Sequence, residues 1–208
     1  MFCVLKEWVA VIIVAAFLLA AWSFLQPKAM QGQGTKTVED VLSVWQGAGF
    51  PASPLLGEGF ELESVSIEQI SNAKKDFIAM KAEVSSMQEF AEKQAVLGLV
   101  EINLVVAEQL LAAKKAQGEL NELNKIGSDE DAFLCDGKAL LKEYSGSVGL
   151  LLELAGKKNA LVSGFSSEFP QEYEKTGLSQ LVPEDTVLLG ELKGRLDSDV
   201  RSLEVNCP

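Results

Sequence analysis

Two cysteines are spaced so that they could form a covalent bond with each other. Cys135 and Cys207 lie outside the apolar N-terminal region, whereas Cys3 lies beside it. In an oxidising compartment Cys135 and Cys207 could pair, and closing that loop would stabilise the fold by about 4 kcal/mol in the chain-entropy description. The alternatives are two unrelated thiols and, for Cys3, either an acylation site or an ordinary apolar residue.

Histidine is missing from the sequence. Its absence excludes Ser-His-Asp and Cys-His catalytic sets, the HExxH zinc site and Glu-x-x-His di-iron ligation. The sequence also has no GxxxxGK[ST], GxGxxG, CxxC, GxSxG or EF-hand pattern. We therefore expect a protein that is not an enzyme and that holds no cofactor or metal.

Two groups of carboxylates are the remaining candidates for a binding site. Gln94, Glu101, Glu108 and Lys115 recur every seven residues in an otherwise apolar stretch. This spacing predicts one solvent-exposed helix edge, the alternative being a Ca²⁺ or Mg²⁺ site at Glu101 and Glu108. The acidic run 129–131 predicts the first turn of a helix, the alternative being a weak cation site.

The charge balance sets 18 Lys and Arg against 30 Asp and Glu, a formal net charge of −12. A nucleic-acid-binding protein needs a basic surface, so we expect no nucleic-acid partner. An acidic surface also keeps a domain away from anionic lipid headgroups, and solubility is its simplest explanation.

The stretch 8–25 contains no charged residue and predicts a transmembrane helix. At 1.5 Å per residue it is roughly 27 Å long, close to the hydrocarbon thickness of a bilayer. Trp8 and Trp22 lie near its two ends, where aromatic residues anchor membrane helices. The alternatives are a cleaved signal peptide and a pilin-like N-terminal helix. The predicted organisation is a short tail at 1–7, a membrane anchor at 8–25, a flexible tether at 26–36 and a helical bundle domain at 37–208.

Beyond the tether, apolar residues recur with helical spacing, and the predicted fold class is all-α. We expect an N-terminal single transmembrane helix followed by an up-down bundle of about four long helices, with a short N-terminal helix and a loop. Thr37 and Ser66 each begin a capping pattern. Ile70, Phe77, Val84 and Ala91 form a coiled-coil-like seam.

The buried face changes sides near residues 92–98, which favours two helices over one long helix between 66 and 125. A further helix is expected to end at Gly164, and the last helix to begin at Pro183. The stretch 60–67 alternates weakly and could be an extended strand.

These patterns predict a single-pass membrane protein whose bulk is extracytoplasmic. Its predicted role is a non-catalytic protein-interaction or envelope assembly component, with a protein partner or self-association. One alternative is a sensing bundle that acts with a signalling partner and binds a small molecule near Met80, Met87 and Leu104. The other is a pilin-like filament subunit.

Overall fold

Six α-helices account for most of the structure, a computed structural model that describes residues 35–50, 61–126, 135, 137–176, 178 and 184–207. They are α1 (Val38–Gly47), α2 (Ile67–Ser86), α3 (Lys93–Ile126), α4 (Lys138–Glu168), α5 (Pro170–Lys175) and α6 (Thr186–Asn206). Helical structure makes up 86% of the described residues, and no strand occurs among them. The predicted all-α helical bundle is confirmed at this level.

The first two helices begin at the positions that the capping patterns predict. The Thr37 hydroxyl accepts a hydrogen bond from the Asp40 amide, and the Asp40 carboxylate accepts one from the Thr37 amide at 2.7 Å. Ser66 and Gln69 make the same reciprocal pair at the start of α2. Each box gives partners to backbone N–H groups that a helix terminus would otherwise leave unpaired.

Long helices that follow each other in the chain pack side by side and run in opposite directions. Between α2 and α3, Lys74 pairs with Glu108 and Lys81 pairs with Glu101, so residue numbers rise on one helix as they fall on the other. Helices α3 and α4 pack in the same antiparallel sense, as do α4 and α6. Helix α6 therefore lies on the outside of α4.

The principal core surrounds α1 and contains most of the large buried side chains. Trp45 makes edge contacts with Phe50 and Phe77, with ring centroids 4.8 and 5.1 Å apart. Phe165 of α4 also enters this core, and a Cβ atom on Gly98 would lie 3.1 Å from its ring. Because Gly98 has no side chain, the Phe165 ring can approach the α3 backbone at this point.

Helix α3 is the one described helix that is long and apolar enough to cross a bilayer. Within the chain, 56% of its most apolar 18-residue window is buried, as in the central helix of a bundle. The transmembrane helix predicted at 8–25, with Trp8 and Trp22, lies outside the described residues.

Some predicted boundaries differ from the structure. The break between α2 and α3 is present, but it occupies residues 87–92, and Ala91 is exposed there instead of continuing the seam. The described part of the possible strand contains a 3₁₀ turn at Leu62–Ser64. Helix α4 continues past Gly164 to Glu168, because Phe165 is drawn into the principal core. Helix α6 begins at Thr186, since the Asp185 carboxylate caps the Val187 and Leu188 amides.

Candidate functional site

The disulfide between Cys135 and Cys207 joins the segment before α4 to the residue after α6. The two Cα atoms are 5.4 Å apart, and the bridge spans 72 positions of sequence. Cys135 is exposed while Cys207 is 5% exposed, and Lys138 donates a hydrogen bond to the Cys207 carbonyl at 2.8 Å. The structure thus contains the pairing that the sequence suggested as possible. We call the disulfide end the region formed by α6, residues 112–126 of α3 and residues 138–151 of α4.

Polar contacts attach the first turn of α6 to α3 and α4. The Glu184 carboxylate, beside the helix start, accepts hydrogen bonds from Lys158 and Gln109. Asn159 completes the junction, since its amide donates to the Glu184 carbonyl and its oxygen accepts from the Glu184 amide. Glu184 therefore connects α3, α4 and the start of α6. The Lys158 ammonium group stabilises this junction.

A second polar contact attaches the middle of α6 to α4. Ser145 donates a hydrogen bond to the Asp197 carboxylate at 2.7 Å, and Lys193 donates to the same carboxylate at 2.5 Å. These hydrogen bonds, first that of Lys193 and then that of Ser145, hold the pKa of Asp197 below its ordinary value of 3.8. A carboxylate with a lowered pKa is a poor general base, and Ser145 is 3% exposed, so this group does not form a nucleophilic site.

Two buried polar side chains, Glu119 on α3 and Ser147 on α4, make no hydrogen bond in the described structure. Glu119 is 7% exposed, and neither of its carboxylate oxygens makes a hydrogen bond. Lys115 lies 3.5 Å from one of them, but its side chain is 67% exposed and it approaches without hydrogen-bond geometry. The Ser147 hydroxyl on α4 is likewise buried and unpaired. A buried polar group without a hydrogen bond lowers the free energy of unfolding by about 1 to 3 kcal/mol. Glu119 and Ser147 therefore reduce the stability of this part of the core.

The predicted polar edge of α3 is a row of ion pairs and exposed residues. Glu101 pairs with Lys81 and lies 3.9 Å from Lys157, while Glu108 lies 2.9 Å from Lys74. Gln94 and Lys115 are exposed at other points of this edge. Lysines thus surround both carboxylates that the metal-site alternative requires. Nowhere in the described ranges do three Asp, Glu or Cys residues group as metal ligands.

A buried hydrogen bond between Trp45 and Asn103 was not predicted from the sequence. Both side chains are fully buried, and the Trp45 indole N–H donates to the Asn103 side-chain oxygen at 2.6 Å. The Asn103 amide donates in turn to the Leu99 carbonyl at 2.8 Å. The sequence signal was a lone amide in the centre of the apolar run 95–113, which a helix interior tolerates only when it is paired. This pair fixes α1 against α3.

The residues of the predicted small-molecule cleft lie at the α2–α3 side of the molecule. Met80 and Leu104 are half-buried and pack against the principal core. Met87 is the C-cap of α2 and lies in the turn before α3. The cleft itself stays a prediction. Cys3 and the acidic run 129–131 lie outside the described residues.

Lys93 is the one buried lysine among the residues that the structure describes, at 6% exposure. Its ammonium group donates to the Met87 carbonyl at 2.6 Å and to Glu89 at 3.1 Å, so it stabilises the α2–α3 turn. The charged side chains of the described sites therefore act mainly on one another.

Comparison of the chain with protein-family models, curated proteins and solved structures finds no match.

Proposed function

We propose that the protein is a membrane-anchored, extracytoplasmic helical bundle that acts as a non-catalytic interaction or assembly component of the cell envelope. In this arrangement one helix at residues 8–25 spans the membrane and an up-down bundle stands beyond it. The observation that carries the proposal is the Cys135–Cys207 disulfide. Structural disulfides form and persist in oxidising compartments such as the periplasm and the cell exterior.

The polar side chains support a non-catalytic role because many of them are paired with one another. The carboxylates of Glu101, Glu108 and Glu184 face lysines, and Ser145 is bonded to Asp197. A catalytic site needs a nucleophile and a base that can both reach a substrate. In the residues that the structure describes, such groups hold one helix against the next.

Exposed apolar side chains support binding of a protein partner. Ile67 and Ile78 on α2 are 59% and 52% exposed, and a separation of eleven residues places them on one face of that helix. Single exposed apolar residues are ordinary, and these two lie about 16 Å apart along the helix, so they mark two candidate contact positions on one face and do not form a continuous apolar patch.

The compartment is tested on full-length protein extracted from its native membrane. Thiols are alkylated before and after reduction, and the intact mass is measured each time. We expect the full-length mass, with Cys135 and Cys207 protected from alkylation until reduction. Free thiols at full length would place the bundle in the cytoplasm and overturn the proposal. A chain shortened near residue 30 would mean that the N-terminal segment is cleaved off and that the protein is secreted.

The interaction role is tested by placing a photo-reactive amino acid at Ile67 or Ile78 in the full-length chain in native membranes. Glu68 and Asp76, exposed polar residues of the same helix, provide matched control positions. We expect one adduct of defined mass from the apolar positions that is absent from the control positions. Equal or absent crosslinking at all four positions would remove protein binding by this face.

The sensing-bundle alternative is favoured by one observation, the buried carboxylate of Glu119, which makes no hydrogen bond and pairs only with the exposed Lys115 among the described residues. A buried carboxylate of this kind could accept hydrogen bonds from a cationic ligand between α3 and α4. Thermal unfolding of the full chain with and without small amines such as putrescine separates the two functions. A saturable rise in unfolding temperature, lost in Glu119→Gln, would favour sensing.

A further inference from the structure

Helix α6 has a second stripe of residues on the side opposite its contact with α4. Leu196 and Val200 point into the bundle, at 9% and 8% exposure. The opposite stripe consists of residues spaced alternately four and three apart, which therefore share one face of the helix. Its six members are all exposed and are Val187, Glu191, Gly194, Ser198, Arg201 and Val205. Val187 and Val205, at the two ends, are 70% and 82% exposed.

Gly194, near the middle of the stripe, is one of several helical glycines whose missing side chain is not required by packing within the described residues. A Cβ atom built on it meets nothing within 4 Å, and the same holds for Gly190 one turn earlier. Glycine inside a helix costs about 1 kcal/mol relative to alanine. A residue that weakens an exposed helix without packing against anything suits the close approach of another backbone.

The charged members of the stripe are also without partners. Glu191 makes no hydrogen bond or ion pair within the part of the chain that the structure describes. Arg201 acts on Asp197 through longer-range attraction, and no carboxylate of the described residues lies within ion-pair distance of it. Glu191 and Arg201 are ten residues apart, about 15 Å along a helix, so they cannot pair within one chain.

The order of the six residues is self-complementary about the level of Leu196. When a second α6 runs antiparallel with its two-fold axis at that level, Val187 lies opposite Val205 of the second copy. Glu191 then lies opposite Arg201, and Gly194 lies opposite Ser198. Each contact occurs twice, as a two-fold symmetric interface requires. The register therefore pairs apolar with apolar, acid with base and small with small.

We propose that α6 is the self-association surface of this protein and that a second copy of the chain docks on it antiparallel. The small residues at the centre allow the two helix axes to approach to about 8 Å, the lower end of the usual range. The stripe carries no net charge on a chain whose net charge is −12, so it is a surface where two copies meet without strong repulsion.

One pair of helices buries less than the roughly 800 Å² per partner of a standard stable complex. We therefore expect a reversible dimer whose population depends on concentration. This inference does not rest on the proposed function. A monomer would remove the α6 contact and leave the envelope location and partner binding by α2 intact.

The test is sedimentation equilibrium of the full-length chain in density-matched detergent over a wide concentration range. The variants are Glu191→Arg, Arg201→Glu and the double charge swap. Either single change places like charges opposite each other twice, and we expect each to weaken dimerisation at least about tenfold. The double swap restores the opposite-charge register between copies, so its dissociation constant should return to within about threefold of the original.

Asp199→Arg and Arg195→Glu are the matched controls, because they make the same charge changes on exposed residues of α6 outside the stripe. We expect both controls to dimerise like the unmodified chain, and circular dichroism to show that every variant stays helical. Four results would overturn the proposal: a monomer at every concentration, a double swap no better than the single changes, controls as weak as the stripe variants, or dimers insensitive to all these changes. Dimers insensitive to all these changes would place the contact elsewhere in the chain.

Discussion

The two ends of the bundle are stabilised by different means. We call the aromatic end the region around α1, α2, the first half of α3 and the last turns of α4, where Trp45, Phe50, Phe77 and Phe165 lie within one core. The disulfide end has small buried residues such as Ala112 and Ala116, together with a covalent bridge and polar contacts. Burial of large apolar side chains stabilises the first region, and a cross-link stabilises the second.

The two ends are therefore expected to differ in how readily each one unfolds independently of the other. A fully buried aromatic side chain contributes several kcal/mol that depend on many neighbours, so the aromatic end is a cooperative unit. Helix α6 buries only Leu196 and Val200 among its own helical residues, and it packs chiefly on α4. It is therefore the long helix that depends most on its covalent and polar attachments, and local opening is expected to begin there.

The largest predicted effect comes from Phe77→Ala at the aromatic end. Phe77 is fully buried and touches Trp45, so its truncation leaves a cavity and should lower the free energy of unfolding by about 3 to 5 kcal/mol. Urea unfolding measures this change, and Ile78→Ala is the matched control because Ile78 is 52% exposed. A loss below about 1 kcal/mol would mean that the aromatic end is not the cooperative core.

The second prediction concerns the double variant Cys135→Ser with Cys207→Ser. Loss of a bridge over 72 positions should destabilise the disulfide end by about 2 to 4 kcal/mol. Amide hydrogen exchange should show lost protection in α6 with protection retained in α1 and α2. Reduction of the unmodified chain should reproduce the same pattern.

An equal loss of exchange protection in all helices would merge the two ends into one cooperative unit and remove the contrast between them. Loss of exchange protection confined to the last turn of α6 would mean that the disulfide stabilises only the end of that helix. It would show that the Ser145–Asp197 and Glu184 contacts hold most of the helix without the bridge.

Local signals in the sequence predicted the starts of α1 and α2. The capping boxes at Thr37 and Ser66 involve contacts three residues apart, which a sequence shows directly. The change of the buried face near residues 92–98 predicted two helices, because one straight helix keeps its apolar residues on one face. The Cys135–Cys207 pair was predicted because only two cysteines lie outside the anchor region.

Contacts between distant elements could not be predicted in the same way. Trp45 and Asn103 are 58 residues apart, and nothing local shows that an indole donor will meet an amide acceptor. The end of α4 was placed at Gly164 because glycine ends many helices, whereas the burial of Phe165 in the core decides the outcome. Tertiary packing overrides local propensity at such positions.

The third prediction tests the energetic weakness of the disulfide end through Glu119→Met. The substitution keeps a similar volume and removes a buried carboxylate that makes no hydrogen bond and pairs only with the exposed Lys115 among the described residues. We expect the free energy of unfolding to rise by about 1 to 2 kcal/mol in urea titrations. The matched control, Glu122→Met, changes a 57% exposed side chain of the same helix and should stay within about 0.5 kcal/mol. A destabilised Glu119→Met variant would mean that this carboxylate has a stabilising partner.

The smallest predicted effect is the pH dependence that Asp197 gives to the disulfide end. The hydrogen bonds from Lys193 and Ser145 lower the pKa of Asp197 in the folded chain, so folding favours its ionised form. This contribution is fully present above the unfolded-state pKa, near 3.8, and is lost as the pH falls through the lower folded-state pKa. The effect is small because the Asp197 side chain is 44% exposed and solvent screens its contacts.

Asp197→Asn should therefore be less stable than the unmodified chain at pH 7, with a difference that shrinks as the pH is lowered from 5 toward 3. Urea unfolding at a series of pH values measures the difference, with Asp199→Asn as control because Asp199 is exposed and accepts no hydrogen bond in the described structure. A difference that is constant with pH would show that Asp197 holds α6 through shape and neutral hydrogen bonding. The disulfide end would then rely on its covalent bridge and the Glu184 junction, and its contrast with the aromatic end would no longer include charge.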